Sequence, residues 1–193
     1  MLFYKTVRGA ARVLFSLIYR IEIEGKEHLP RKGKTIVSPN HFSLMDPIII
    51  GAFLPRKVNF MAKEELFSNR LFASILNKLG VFPVKRSGAD IGAIRTALKI
   101  LNNGDIFCIF PEGTRSKAGE ILEAKPGSAM IAIKAQSPII PVAIIGDYKL
   151  FSKVKIIMGE PIYLSDYYDK KVSTDEYREL SQDVLNTIRG LMI

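Results

Sequence analysis

The sequence has few cysteines, few histidines and no long apolar run. Disulfide-linked, metal-binding and membrane-spanning proteins depend on cysteines, histidines and long apolar runs, respectively. It contains one cysteine, Cys108, among 193 residues, which excludes a disulfide scaffold and a cysteine-rich zinc site. Its two histidines, His28 and His41, are far apart and neither has a carboxylate cluster beside it, so we expect no metal site. No apolar run reaches the roughly 20 residues that a spanning helix needs, which argues against an integral or secreted protein.

Positive charge is what the chain has in excess. It contains 28 Lys plus Arg against 19 Asp plus Glu, a formal net charge of +9, while 48% of its residues are apolar. That composition suits one globular domain with a sizeable core. The charge favours an anionic partner: nucleic acid, an acidic membrane surface or a phosphorylated substrate. We expect no nucleic-acid partner, because basic residues interleaved with exposed aromatics, and known binding motifs, are not found.

The first 20 residues differ from the rest of the chain. Apolar residues recur at helical spacing, Lys5, Arg8 and Arg12 lie among them, and no acidic residue occurs in the segment. The pattern favours a basic amphipathic helix in the membrane interface, with residues 21–193 forming the globular domain. The alternative is a helix whose apolar face packs on that domain. The apolar positions are Phe3, Val7, Ala10, Ala11, Leu14 and Ile18.

Beyond this segment, short apolar runs typical of strands alternate with stretches of helical periodicity. This alternation predicts an α/β fold, in which a largely parallel or mixed central sheet is flanked by helices. The predicted strands are 35–37, 58–61, 105–110, 139–145 and 153–158, and the predicted helices are 47–53, 66–79, 89–101, 128–135 and 174–191.

His41 follows the first of these strands, at a strand-to-helix turn where α/β domains usually place ligand contacts. Asp46 is five positions further on, and a turn between the two, suggested by Pro47, would bring them together. A carboxylate on one imidazole nitrogen fixes the tautomer and leaves the other nitrogen free as a general base. Two alternatives remain: Asp46 and Pro47 as an ordinary helix-start pair, and His41 as a loop residue without function.

The segment Phe110–Ser116 follows the most apolar strand and contains Glu112, Gly113, Thr114 and Arg115. Gly113 permits a tight backbone path at the end of that strand. A guanidinium beside hydroxyls and turn amides can hold a phosphate with two hydrogen bonds. The alternative is a polar loop with a local ion pair between Glu112 and Arg115.

Three further cations follow short apolar runs. Lys85 and Arg86 could reach the same phosphate or belong to a solvated loop, and Lys63 follows a predicted strand but is of a type more often found at the surface. The run 139–143 is apolar throughout and predicts a buried strand, with Pro141 at a bulge or an edge.

Five segments together resemble motifs of the glycerolipid acyltransferase family, and among its members the bacterial 1-acylglycerol-3-phosphate acyltransferases. They occur in the family's order, and the similarity spans about residues 20–165. The segments are Asn40-His41-x4-Asp46, Gly80-x-Phe82-x3-Arg86, Phe110–Ser116, Lys125-Pro126-Gly127 and Ile140-Pro141-Val142.

The resemblance implies a role for each candidate residue. His41 would be the general base and Asp46 the carboxylate that orients it. The glycerol phosphate would be bound by the remaining polar residues of the motifs, and Lys63 would join them. These substrate-binding residues are Lys63, Arg86, Glu112, Gly113, Thr114 and Arg115.

The resemblance also implies the reaction. A fatty acyl group would pass from acyl-carrier protein or coenzyme A to the free hydroxyl of 1-acylglycerol 3-phosphate, giving phosphatidic acid. The acceptor could also be glycerol 3-phosphate or another lysolipid, or the protein could bind lipid without catalysis. We expect neither cofactor nor metal, and no nucleophilic role for Cys108, which lies within an apolar strand. The protein is expected at the cytoplasmic face of the cell membrane, bound peripherally to its anionic surface.

Overall fold

The computed structural model describes residues 2–85, 90–116 and 122–193, and within them a seven-stranded mixed sheet is flanked by helices. The predicted α/β class is therefore confirmed. Of the predicted site residues, Arg86 lies outside the described residues. The elements are α1 Leu2–Ile18, β1 Arg20–Glu24, β2 Thr35–Pro39, α2 Asp46–Phe53, β3 Val58–Lys63, α3 Arg70–Lys78, β4 Val81–Val84, α4 Ile91–Asn102, β5 Ile106–Cys108, α5 Gly127–Ala135, β6 Ile139–Ile145, β7 Lys153–Met158 and α6 Thr174–Gly190.

The strand order is β1-β7-β6-β2-β5-β3-β4. The five strands from β6 to β4 are parallel, whereas β7 runs antiparallel to β6. Successive side chains of a strand point to opposite faces of the sheet. Ile36 and Phe107 accordingly pack under α4, α5 and α6, while Val37 and Cys108 pack under α1 and α2. The carboxyl ends of the five parallel strands lie along one edge of the sheet.

Two strands and one helix boundary differ from the prediction. β1 alternates isoleucine with charged residues, the pattern of a half-buried edge strand, and β4 tolerates Pro83 because it also lies at an edge. The helix predicted over 66–79 is divided into a short 3₁₀ turn, Glu64–Phe67, and α3. Asn69 causes the division, because its side chain caps α3 by accepting hydrogen bonds from the first-turn backbone.

Pro141 lies in β6, an interior strand, so of the two positions predicted for it, a bulge or an edge, the edge is not realised. The pairing beside it is nevertheless irregular, since the register shifts by one residue between Ile139↔Ile162 and Val142↔Met158. The Pro141 carbonyl accepts from Gly159 N at 2.8 Å at this shift. A bulge-like irregularity therefore accommodates a proline that cannot donate a ladder hydrogen bond.

Helix α1 is docked on α2 through a specific set of contacts. Tyr4 and Phe15 are buried, and the Tyr4 hydroxyl accepts from Val58 N at 3.3 Å. The Arg8 guanidinium donates to the carbonyl oxygens of Ala52 and Leu54, which lie at the carboxyl end of α2. The packing alternative for this segment is thus realised, on a face centred near Tyr4 and Phe15 rather than on the stripe that the spacing predicted.

A second apolar face of α1 stays exposed despite this docking. With about 100° between successive residues of a helix, this face is rotated well away from the packed one. Within the described ranges, no helix combines the length and the apolar character needed to cross a membrane. The exposed apolar residues of α1 are Leu2, Phe3, Val13, Leu14 and Leu17.

Candidate active site

The polar residues of the candidate site follow three neighbouring strands at the carboxyl edge of the sheet. His41 follows the central strand β2, Glu112 follows β5 on one side, and Tyr148 follows β6 on the other. Because neighbouring strands lie only about 5 Å apart, side chains from all three can converge at this edge.

His41 and Asp46 are in direct contact. His41 Nδ1 lies 2.8 Å from Asp46 Oδ2, and Asp46 is fully buried as the first residue of α2. The same oxygen accepts from the backbone N–H groups of Phe42 at 2.8 Å and Ser43 at 2.7 Å. The carboxylate therefore faces back over the preceding turn instead of capping the helix. This turn is how a spacing of five residues places the two side chains together.

The backbone and ring of His41 are held from several directions. Its N–H donates to Glu112 Oε1 at 2.7 Å, and its carbonyl accepts from Ser116 N at 2.9 Å and Ser116 Oγ at 3.0 Å. The ring stacks on Phe110, with 4.0 Å between centroids. Since Nδ1 faces Asp46, Nε2 is the nitrogen left for a reacting proton, and the side chain is 14% exposed.

Asn40 anchors the turn immediately before His41. It is buried, its side-chain N–H donates to Ile144 O at 3.0 Å, and its oxygen accepts from Ile144 N at 2.7 Å. The amide thus replaces a strand partner for Ile144 of β6, and both of its polar groups are satisfied. The end of β2, where the His41 turn begins, is therefore held in place against β6.

Glu112 is buried, at 1% exposure, and does not face solvent. Its Oε1 accepts from His41 N, and its Oε2 accepts from Leu122 N at 3.0 Å. None of the described ion pairs joins it to Arg115, so the alternative of a local ion pair is not realised. The structure instead places Glu112 as the connection between the His41 turn and the chain that follows the loop.

The other residues predicted to bind substrate lie at the surface of the same edge. Gly113, Thr114 and Arg115 are exposed, and Gly113 has a φ of 69°, which explains why glycine suits this turn. Lys63 ends β3, the strand beside β5, and is exposed as well. None of the described hydrogen bonds or ion pairs joins Arg115 or Lys63 to His41.

Tyr148 belongs to the site although the sequence did not single it out. Its hydroxyl donates to Asp46 Oδ1 at 2.8 Å, and burial beside that carboxylate raises the pKa of Tyr148. The two residues are 102 positions apart. The available signal was weak: a tyrosine shortly after an apolar strand, at the edge where His41 was expected.

Cys108 ends β5 beneath this cluster. The thiol is buried, and burial together with the charge of Asp46 raises its pKa well above the usual value. A thiol in such surroundings is a poor nucleophile because the thiolate is disfavoured. Over the described ranges, no group of three or more His, Cys, Asp or Glu side chains is arranged to hold a metal ion.

Comparison with known proteins gives one consistent result. The family model described as Acyltransferase matches residues 20–145. A 1-acyl-sn-glycerol-3-phosphate acyltransferase of Bacillus subtilis is 35% identical over 170 residues, which cover 85% of this chain and 84% of that relative. One from Streptococcus pneumoniae is 31% identical, over 86% of this chain and 64% of the relative.

A solved structure agrees with these sequence matches. It is the crystal structure of the 1-acyl-sn-glycerophosphate (LPA) acyltransferase PlsC from Thermotoga maritima, which aligns with a TM-score of 0.77 and 30% identity. The alignment covers 98% of this chain and 79% of that chain. The resemblance drawn from the sequence motifs is confirmed.

Proposed function

This chain belongs to the acyltransferase family, and we propose that it transfers a fatty acyl group from a thioester to the free hydroxyl of 1-acylglycerol 3-phosphate. The product is phosphatidic acid, so the protein is an acyltransferase of phospholipid biosynthesis. The observation that carries the mechanism is the 2.8 Å contact between His41 and buried Asp46, beside a loop with exposed Arg115.

His41 acts as the general base of this reaction. Asp46 accepts a hydrogen bond from Nδ1–H, which leaves Nε2 to take the proton from the acceptor hydroxyl as its oxygen attacks the thioester carbonyl. The carbon–sulfur bond then breaks, and the departing sulfur takes the proton from the His41 imidazolium, which restores the neutral base. Asp46 stabilises the imidazolium formed during the attack, and Glu112 holds the backbone of His41 in place.

The phosphate of the acceptor binds at the exposed cations of the same edge. Arg115 can offer a planar pair of N–H donors, with the Gly113 and Thr114 backbone beside it, and Lys63 supplies a second charge from β3. Arg86, which follows β4, is the third cation of this proposal. The exposure of Arg115 and Lys63 supports the assignment, because a charged ligand must enter and leave without displacing buried ion pairs.

The acyl donor is acyl-carrier protein or coenzyme A. Both present a thioester, which is already activated, so the chemistry requires a positioned base and neither a cofactor nor a metal. The test is a matrix of acceptors against donors: lysophosphatidic acid, glycerol 3-phosphate and other lysolipids, each with both thioesters. Transfer to lysophosphatidic acid that is lost in His41→Ala supports the proposal, whereas equal transfer by His41→Ala contradicts the mechanism.

Helix α1, in the segment 1–20, makes the peripheral contact with the cytoplasmic face of the cell membrane. Lys78, at the end of α3, lies near the exposed apolar face of α1, with its Nζ 5.7 Å from the Phe3 ring centroid, and α3 has an exposed apolar face of its own. Exposed Lys5 and Arg12 supply attraction to anionic lipid. Arg8 is not available for this, because its guanidinium is bonded to the carbonyls of α2. The exposed apolar residues of α3 are Leu71, Phe72 and Ile75.

A further inference from the structure

We propose that Tyr148 is a positioning residue of the acyl transfer, whose hydroxyl fixes the Asp46 carboxylate so that it can orient His41. The inference rests on the proposed role of His41 as general base. Tyr148 lies outside every segment in which the sequence motifs were found, and it follows β6, whereas the dyad follows β2.

The two oxygens of Asp46 have unequal surroundings. Oδ2 receives three donors, namely His41 Nδ1 and the backbone N–H groups of Phe42 and Ser43. Among the described hydrogen bonds, Oδ1 receives one, from the Tyr148 hydroxyl at 2.8 Å. Because Asp46 is fully buried, loss of this donor would leave a charged oxygen without a hydrogen bond. The carboxylate would then keep its contact with His41 through Oδ2, but its orientation about that contact would no longer be fixed from the other side.

Tyr148 is itself held in a fixed conformation, as a residue that positions Asp46 must be. Its backbone has a φ of 52°, in the left-handed region that non-glycine residues seldom adopt, so its surroundings must impose the conformation. Its ring lies 5.3 Å from that of Phe42 and 5.6 Å from that of Tyr19, measured between centroids. The Tyr19 hydroxyl donates to Tyr148 O at 3.4 Å, and the Tyr19 ring stacks on Phe15 of α1.

The titratable and charged groups around the dyad determine the direction of the expected effect. Asp46 faces His41, Tyr148 and buried Cys108, whose raised pKa keeps it neutral, while Glu112 contacts the backbone of His41. The Tyr148 hydroxyl withdraws negative charge from the carboxylate. Without it, that charge acts more strongly on the imidazole and favours its protonated form. His41 should then lose its proton at a higher pH.

The kinetic test compares Tyr148→Phe with Tyr168→Phe, a matched loss of a hydroxyl from a half-buried tyrosine on the opposite face of the sheet. With saturating donor, we expect kcat of Tyr148→Phe to fall by on the order of 10- to 100-fold, as for a lost hydrogen bond to a charged group. KM for the acceptor should change little, and the acid limb of kcat/KM should move to higher pH. Tyr168→Phe should retain the wild-type profile.

A second measurement tests the effect of Tyr148 on His41 and does not depend on turnover. The chain has two histidines, so a His28→Gln background leaves His41 as the only imidazole in a nitrogen NMR titration. The titration midpoint of His41 should rise in Tyr148→Phe. An unchanged midpoint and an unchanged acid limb would overturn the proposal, even if kcat or thermal stability fell, because the role would then be merely structural.

The same measurements separate this proposal from the proposed function. If His41→Ala abolishes transfer but Tyr148→Phe leaves kcat, the acid limb and the His41 midpoint unchanged, His41 remains the base and Tyr148 has no positioning role. If His41→Ala retains transfer while the midpoint rises in Tyr148→Phe, the contact with Asp46 is supported and the role of His41 as base fails.

Discussion

The two halves of the candidate site differ in how the protein holds them. His41, Asp46 and Glu112 are largely buried, and backbone N–H groups or neighbouring side chains hold each one. Arg115 and Lys63, at the same edge of the sheet, are exposed. The buried half is therefore organised before the substrate arrives. Groups that move a proton need fixed geometry, whereas groups that bind a phosphate must exchange water for ligand.

Helix α1 shows the same contrast within a single element. Arg8 is bonded to the carbonyl oxygens at the end of α2, while Lys5 and Arg12 are exposed on the same helix. Arg8 joins α1 to the domain. Lys5 and Arg12 are left at the surface, although the Arg12 guanidinium also lies 5.7 Å from the Phe53 ring centroid of α2. Changes in the fixed groups should therefore alter folding or chemistry, and changes in the exposed groups should alter binding.

The largest effect is expected for the buried half of the site. His41→Ala should lower kcat by at least about 10²-fold, the lower range for general-base catalysis, and leave the fold intact. Steady-state turnover combined with circular dichroism checks both expectations. His28→Gln is the matched control, because His28 contacts Met158 O and none of the described hydrogen bonds joins it to His41 or Asp46. A folded His41→Ala protein with wild-type turnover would contradict the division of the site into a buried half that moves a proton and an exposed half that binds the phosphate.

Glu112→Ala should weaken both stability and turnover. The backbone N–H groups of His41 and Leu122 lose their acceptor, which costs up to about 1–3 kcal/mol for each of these partly buried donors. Chemical denaturation measures the change in unfolding free energy, and kcat follows in the same preparation. Unchanged stability would show that Glu112 does not belong to the fixed half of the site. It would favour the other role predicted for Glu112, in binding the glycerol phosphate.

Arg115→Ala should act on binding alone. We expect the acceptor KM to rise by on the order of 10-fold, because a charge-assisted contact to phosphate is lost while the fold stays unchanged. Arg115→Lys should recover part of this, since an ammonium cannot reproduce the planar fork. Steady-state kinetics with varied acceptor and saturating donor measure the acceptor KM of both variants. An unchanged KM and kcat/KM would make the arginine structural.

Changes to the exposed face of α1 should have a smaller effect, confined to membrane binding. Removing either Lys5 or Arg12 should weaken binding to anionic vesicles by about fivefold, since each cation near such a surface contributes about 1 kcal/mol. Replacing Val13 and Leu17 by serine should weaken binding to both anionic and neutral vesicles. Co-sedimentation across a salt series measures this.

Phe15→Ala is the matched control for the α1 variants, because it alters the packed face of the same helix. It should lower thermal stability, with little effect on vesicle binding by the folded fraction. If the exposed-face variants bind vesicles as well as wild type does, the membrane contact lies elsewhere, and the apolar residues of α3 are the next to change.

The smallest effect is expected at Cys108. Burial raises the pKa of its thiol well above the usual value, so alkylating reagents should modify it only after unfolding. Cys108→Ala should retain turnover close to that of wild type. Rapid modification of the native protein, with parallel loss of activity, would show that the thiol is accessible and that the buried half is less closed than the structure indicates.

Much of the fold follows from local patterns. The five runs predicted as strands are β2, β3, β5, β6 and β7. β5 and β6 are buried on both faces and read as continuous apolar segments, whereas β7 alternates buried residues with more exposed ones. β1 and β4 were missed, since edge strands carry charged residues or proline and their signal is weaker. The division of residues 1–20 from 21–193 remains a prediction, as do the roles of the site residues.

Local sequence patterns are enough to identify the kind of protein: its family, its α/β class, and the two motifs that contain His41 and Glu112. The contacts between these parts depend on the tertiary structure. Glu112 contacts a residue 71 positions away and Tyr148 one 102 positions away, and both contacts depend on strand order. The packed face of α1 was equally undecided, because its helix is apolar on two sides and only the docking onto α2 selects one. Local spacing encodes neighbours within a turn, whereas contacts between strand ends exist only once the sheet has formed.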